Sequence, residues 1–131
     1  MKYKIDDLRL SDTNDIDVSR FFPSATESVI ITIRHLMNKN HNDIIALMMI
    51  GQKVAPINEK GKFEIKDTGW YQKTRDIYLL NGVVINDNFP FEKWDKATID
   101  EIDKRCPEFI QFLQDEIQEF NRPLATMNEK D

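Results

Sequence analysis

Val29-Ile30-Ile31-Thr32-Ile33-Arg34-His35-Leu36 decides the fold, together with the turn Asn38-Lys39-Asn40 and the apolar run at 44–50 behind it. Val29, Ile31 and Ile33 alternate with Ile30, Thr32 and Arg34. A period of two in β-branched residues marks a strand with one buried face, so a strand is expected over 28–36. Ile44, Ile45, Leu47, Met48 and Met49 then recur at helical spacing. Asn40 is the candidate N-cap, and Asp43 is assigned to the first turn, where negative charge suits the helix dipole. Gly51 falls near the expected end and Pro56 forbids continuation. This helix is apolar on more than one face. It is either central in the core or partly an interaction surface.

Working outward, residues 1–26 read as a polar N-terminal arm. Asp12, Asp15 and Asp17 sit there among Ser and Thr. They lack the Gly and distal Glu of a calcium-binding EF-hand loop, so a solvated loop is the better reading. Phe21 and Phe22, just before Pro23, are expected to pin the arm onto the core. Residues 57–69 are polar, and Phe63 and Ile65 alternate there with Glu64 and Lys66, which fits a loop or a short exposed strand. The loop is favoured.

Residues 70–85 carry two signals. Trp70, Tyr71, Thr74, Ile77 and Tyr78 share a helical face, whereas Asn81-Gly82 between Leu79-Leu80 and Val83-Val84 is a hairpin signal. Length and periodicity favour the helix. Thr98 with Glu101 has the capping-box pattern and opens a short helix carrying Ile99 and Ile102. Pro107 stands where a first helical residue tolerates a missing N–H. Behind it Phe109, Phe112, Leu113, Ile117 and Phe120 repeat at helical spacing. Arg122 suits the helix end, and Pro123 stops it. The fold class expected is α+β: a mostly helical single domain over 27–122, with a short N-terminal β element packed on about four helices. Residues 123–131 are expected to form a flexible tail.

The chain has 131 residues, enough for one domain with a real core, and its charged (31%) and hydrophobic (40%) shares are those of a soluble globular protein. Thirteen aromatic residues (eight Phe, three Tyr, two Trp) argue against disorder. The net charge of -5, with 18 Lys and Arg scattered among 23 acidic residues, disfavours nucleic acid as an electrostatic partner. A single cysteine permits no intrachain disulfide and suggests a reducing compartment. The apolar run at 44–50 is too short for a bilayer, and residues 1–7 have no signal-peptide character. A cytoplasmic protein with no membrane partner is expected.

Candidate chemistry is sparse. His35 and His41, six apart, fit no common zinc spacing. Cys106 precedes a helix start, the kind of place that activates a thiol, but no base lies near it in sequence. Asp100 with Asp103, and Asp115 with Glu119, are assigned to solvated outer helix faces, where they have no shielded cleft for acid–base work. The four glycines are isolated, so no phosphate-cradling loop is formed. No catalytic residue, metal or cofactor is expected. Surfaces remain. Met37, Met48 and Met49 are either core filling or an adaptable binding surface. Phe89, Phe91 and Trp94 around Pro90 are either an anchor onto the helices or a binding patch. With Phe112 and Phe120 of the last helix, Met48, Met49, Phe89, Phe91 and Trp94 are the candidate protein-binding residues.

Taken in order, these pieces resemble tail assembly chaperones of long-tailed bacteriophages. The likeness runs through Val29-Ile30-Ile31-Thr32-Ile33-Arg34-His35-Leu36 and the apolar helix after it. It continues in Arg75-Asp76-Ile77-Tyr78-Leu79-Leu80-Asn81-Gly82-Val83-Val84, Asn86-Asp87-Asn88-Phe89 and Glu116-Ile117-Gln118-Glu119-Phe120-Asn121. It spans roughly residues 28–121 and consists of order and pattern, without an invariant chemical motif. The insert at 60–70 and the aromatics at 89–94 have no counterpart in the family pattern. The resemblance implies a non-enzymatic protein that coats the tape-measure protein and helps recruit tail-tube subunits in the host cytoplasm. It also implies a chain whose end suits a frameshifted extension. A virion structural or connector component, or a small adaptor, is the alternative, and a homo-oligomer fits either.

Overall fold

A computed structural model describes residues 1–5, 13–53 (51–53 through their backbone alone) and 69–122. Among these, four α-helices and a three-stranded antiparallel sheet form a single small α+β domain, more helix than strand. The order is β1 (Thr13–Asp17), β2 (Ile30–Arg34), α1 (Asn38–Lys53), α2 (Gly69–Gly82), β3 (Val83–Val84), α3 (Lys96–Arg105) and α4 (Pro107–Phe120). The expectations for Pro56, for the polar stretch up to 68, for Pro123 and for the tail lie outside the described residues.

β2 is the central strand of the order β1-β2-β3. Its alternation is as the sequence indicates: Ile31 and Ile33 are fully buried, while Arg34 is exposed. The register puts Ile16 opposite Ile31 and Val83 opposite Ile33, so these four side chains line one face. On the other face Thr32 donates to Asp15 Oδ1 at 2.6 Å and accepts from Asn86 Nδ2 at 3.2 Å, a polar ladder facing out. The buried face meets α2, α3 and α4 through Leu79, Ile99, Phe109, Ile110, Leu113 and Ile117. α4 is the clearest case of sequence dictating structure. Pro107 occupies its first turn, and Phe109, Leu113 and Ile117 are buried at spacings of four.

Several local expectations are corrected. Residues 13–17, assigned to the polar arm, form β1, and Ile16 and Val18 are buried. The strand is made by pairing with β2, since Thr-Asn-Asp-Ile-Asp has little strand propensity of its own. Phe21 and Phe22 do pin this segment, each with its ring against Phe109. α1 begins two residues before Asn40. The Asn40 side chain instead reaches back to accept from the Met37 N–H at 3.3 Å, and Asp43 lies beyond the first turn. Asn81-Gly82 makes no hairpin. α2 runs through both residues and passes directly into β3, which pairs with β2. Gly82 suits that junction because a Cβ there would lie 2.6 Å from Cγ2 of the fully buried Ile117. α3 is capped by Asp95 rather than Thr98. The Asp95 carboxylate accepts from the Thr98 N–H at 2.9 Å and its hydroxyl at 2.8 Å, the stronger capping geometry.

Candidate functional site

Two regions stand out, one ionic and one apolar. The ionic region was not foreseen. Arg75 and Asp76 sit in the middle of α2, both among its buried residues. A charge is held in such a place only if it is paired and hydrogen-bonded. Arg75 Nε and Nη2 both donate to Asp76 Oδ1, at 3.1 and 2.9 Å. Nη2 also donates to Asp100 Oδ1, and Nη1 to Asp103 Oδ2 at 3.1 Å. Lys96 Nζ closes the set on Asp76 Oδ2 at 3.1 Å and lies 3.4 Å from Asp100 Oδ2. Asp100 and Asp103 are three apart on α3 and so point the same way. They clamp α3 to α2, where the sequence reading left them on a solvated face.

Burial opposes the Arg75 charge, but hydrogen bonds and attraction from Asp76 and Asp100 outweigh it and hold the guanidinium above its ordinary range. The hydrogen bond from Arg75 holds Asp100 below the usual carboxylate value of 3.8, with Lys96 adding to the effect. Hydrogen bonds from Ser19 and Thr98 lower Asp17 and Asp95 likewise. The sign follows. A depressed carboxylate contributes stability above its unfolded value and loses it as pH falls through its folded value. The midpoint of thermal unfolding is expected to hold steady down to about pH 5 and fall below about pH 4. Asp100→Asn, melted across the same range, is expected to start lower and fall less steeply. Lys96, raised by its hydrogen bond to Asp76, behaves oppositely: its contribution is full below 10.5 and fades above its raised value.

This cluster has its donors turned inward onto carboxylates, which suits bracing rather than catalysis. Cys106 Sγ lies 3.7 Å from Glu108 Oε2, which accepts from the thiol. His35 is stacked on Phe120, with centroids 4.2 Å apart and planes 13° from parallel, and His41 stands on α1. Among the described residues no group of three or more His, Cys, Asp or Glu is placed to hold a metal. No helix among them is long and apolar enough to cross a membrane.

The candidate protein-binding residues divide into two sets. Phe89, Phe91, Trp94, Phe112 and Phe120 are half-buried and packed against the core. Phe91 contacts Phe22, Phe89, Trp94 and Phe109. The Trp94 indole N–H donates to the Leu79 carbonyl at 2.8 Å. Arg20 lies 4.3 Å above the centre of the Phe112 ring. These contacts anchor the segment 89–94 and the 18–22 turn on α4.

Met48 and Met49 lie elsewhere, on α1. That helix packs on α2, and the one buried side chain among its described residues, Ile44, is not part of the continuous core. Ile45, Met48, Met49 and Ile50 are 48–55% exposed, and Met37 just before the helix is more exposed still. Two of these, Ile45 and Ile50, were not among the candidate binding residues, although the two-faced apolarity of 44–50 signalled them.

Fold and site together define a small, mostly helical α+β domain with an apolar helix on its flank. No family model, no curated protein and no solved structure matches the chain.

Proposed function

We propose that this protein is a non-enzymatic assembly chaperone of the kind that its sequence resembles. It covers apolar surface on an elongated helical partner, the tape-measure protein, and helps recruit tail-tube subunits in the host cytoplasm. The observation that carries this reading is α1. None of the described side chains of this helix joins the continuous core, and four large apolar ones are exposed within six residues. Covering the exposed half of one such side chain is worth roughly 1 kcal/mol. Two of the four are methionines, which adapt to varied surfaces. The acidic balance of the chain, net -5, keeps a complex with an apolar client dispersed.

Co-expression with overlapping tape-measure fragments is the test. At least one fragment is expected to move from the pellet to the soluble fraction. The double variant Met48→Glu/Met49→Glu, changed where side chains already face water, is expected to fold normally and abolish that gain. No gain with any fragment would sink the proposal. Finding the protein as a stoichiometric component of purified particles would favour a structural role instead.

A further inference from the structure

We infer that a pocket beside the β2–α1 link receives the terminal carboxylate of a peptide chain whose last side chain is apolar. Such a site is independent of the chaperone reading and needs no client on the α1 flank. The pocket has a volume of about 520 Å³ and lies where the ends of five elements meet. Thr13 opens β1 and is paired across from Arg34, which closes β2. Asn40 stands in the first turn of α1, Asn81 in the last turn of α2, and Val84 closes β3.

Arg34 supplies the charge. Its Nε donates to the Asn81 carbonyl at 2.9 Å, which fixes the guanidinium at the pocket wall. Neither Nη has a partner among the described residues, and Arg34 joins none of their ion pairs. The other described arginines are engaged. Arg75, Arg105 and Arg122 each hold a carboxylate, and Arg20 lies over the rings of Phe21 and Phe112. No carboxylate lines the pocket. Asp15, two residues along β1 from Thr13, accepts from the Thr32 hydroxyl and makes no ion pair with Arg34. The positive charge of Arg34 is therefore unanswered at close range among the described residues. A guanidinium held by Nε with both Nη groups open is the fork that a carboxylate matches with two parallel hydrogen bonds.

The rest of the lining chooses which carboxylate. Asn40 Oδ1 is taken by the Met37 N–H, which leaves Nδ2 to donate. Asn81 is the reverse: its Nδ2 donates to the Ile77 carbonyl at 2.9 Å, which leaves Oδ1 to accept. A bare anion such as phosphate needs donors alone. This pocket adds an acceptor and two apolar side chains, Met37 and Val84. The last residue of a chain carries all three complements together: a carboxylate, an N–H two bonds from it, and a side chain. A Glu side chain keeps its carboxylate remote from any N–H of its own. Capture of a chain end by a few placed polar groups is an established mode of peptide recognition.

The test is an NMR titration of the full isotope-labelled chain with acetylated tetrapeptides. Gly-Ser-Gly-Leu with a free carboxylate is expected to shift the Arg34 Nε–H and the Asn40 side-chain amide. It should bind about tenfold tighter than the same peptide amidated at its end, the effect of charge-assisted hydrogen bonds. An acid ending in Gly is expected to bind about fivefold weaker, for want of a side chain on Met37 and Val84. Arg34→Met is expected to lose the preference for acid over amide. Met37→Glu, at a side chain 72% exposed, should do so without altering the melting midpoint. Equal binding of acid and amide, or of the Leu and Gly acids, would overturn the proposal. So would unchanged binding in Met37→Glu, or no binding of the Leu acid at millimolar concentration. An amidated peptide with an internal Glu binding as well as the free acid would assign the pocket to side-chain carboxylates instead. Displacement by equimolar inorganic phosphate would show a general anion site and equally refute it.

Discussion

Replacing Arg75 by Met is expected to cost about 3 kcal/mol in urea unfolding, the low end for stripping one member from a buried ion pair. For a domain of this size that lowers the melting midpoint by roughly 10–15 °C. The cause is less the lost attraction than what is left behind. Asp76 stays buried with Lys96 as its remaining partner, while Asp100 and Asp103, partly open to water, regain hydration. Arg75→Met/Asp76→Leu is therefore expected to be more stable than the sum of the two single changes predicts, because an apolar pair of similar bulk strands no charge. Additive single and double costs would show that the pair is not coupled, and the account of the cluster as a brace would fail.

The second large effect is expected at Phe109. Its ring meets Phe21, Phe22 and Phe91 with centroids 5.2, 6.1 and 5.9 Å away, in edge-to-face geometry each time. Phe109→Ala removes a buried ring and three such contacts, and a loss of about 3–5 kcal/mol is expected. Phe109→Leu keeps most of the volume and should lose clearly less. The position also ties two remote segments to α4. Phe109→Ala should therefore make the connection around Arg20 a trypsin site under conditions where the parent resists cleavage. Unchanged protection there would mean that Val18, its backbone bond to the Val29 carbonyl and the bond from the Val29 N–H to Ser19 Oγ hold the segment without the ring.

What the sequence made legible follows physical range. The alternation of Ile31 and Ile33 and the stripe of Phe109, Leu113 and Ile117 are local patterns, and the structure buries those residues. The Pro107 start is likewise local. β1 is different, because Thr13–Asp17 becomes a strand through a register set across residues 18–29. The face of α2 grouped in the sequence coincides only in part with the buried one, for a related reason. Of that group Thr74 is buried and Tyr78 packs on the core, but Tyr71 is exposed, and the buried residues include the charged Arg75 and Asp76. Burial of that ion pair depends on Asp100 and Asp103, 25 and 28 residues further along. The exposed methionines of α1 were legible only as one of two alternatives. Composition marks an apolar helix, but whether neighbours cover it is a property of the whole fold.

Asn121 has a bearing on the order in which this molecule can mature. Its side-chain oxygen accepts from the Leu36 N–H at 2.7 Å, and its amide donates to the carbonyls of Arg34 and Ile117 at 3.3 and 2.8 Å. One residue after α4 thus clasps the link between β2 and α1 across more than eighty positions. The β1–β2 ribbon closes over a short span and can form early. The mooring of the apolar helix is completed only when residue 121 has arrived. During synthesis the sticky flank therefore takes up its final orientation late, which shortens the interval in which a half-made chain presents an organised hydrophobic platform to the wrong company.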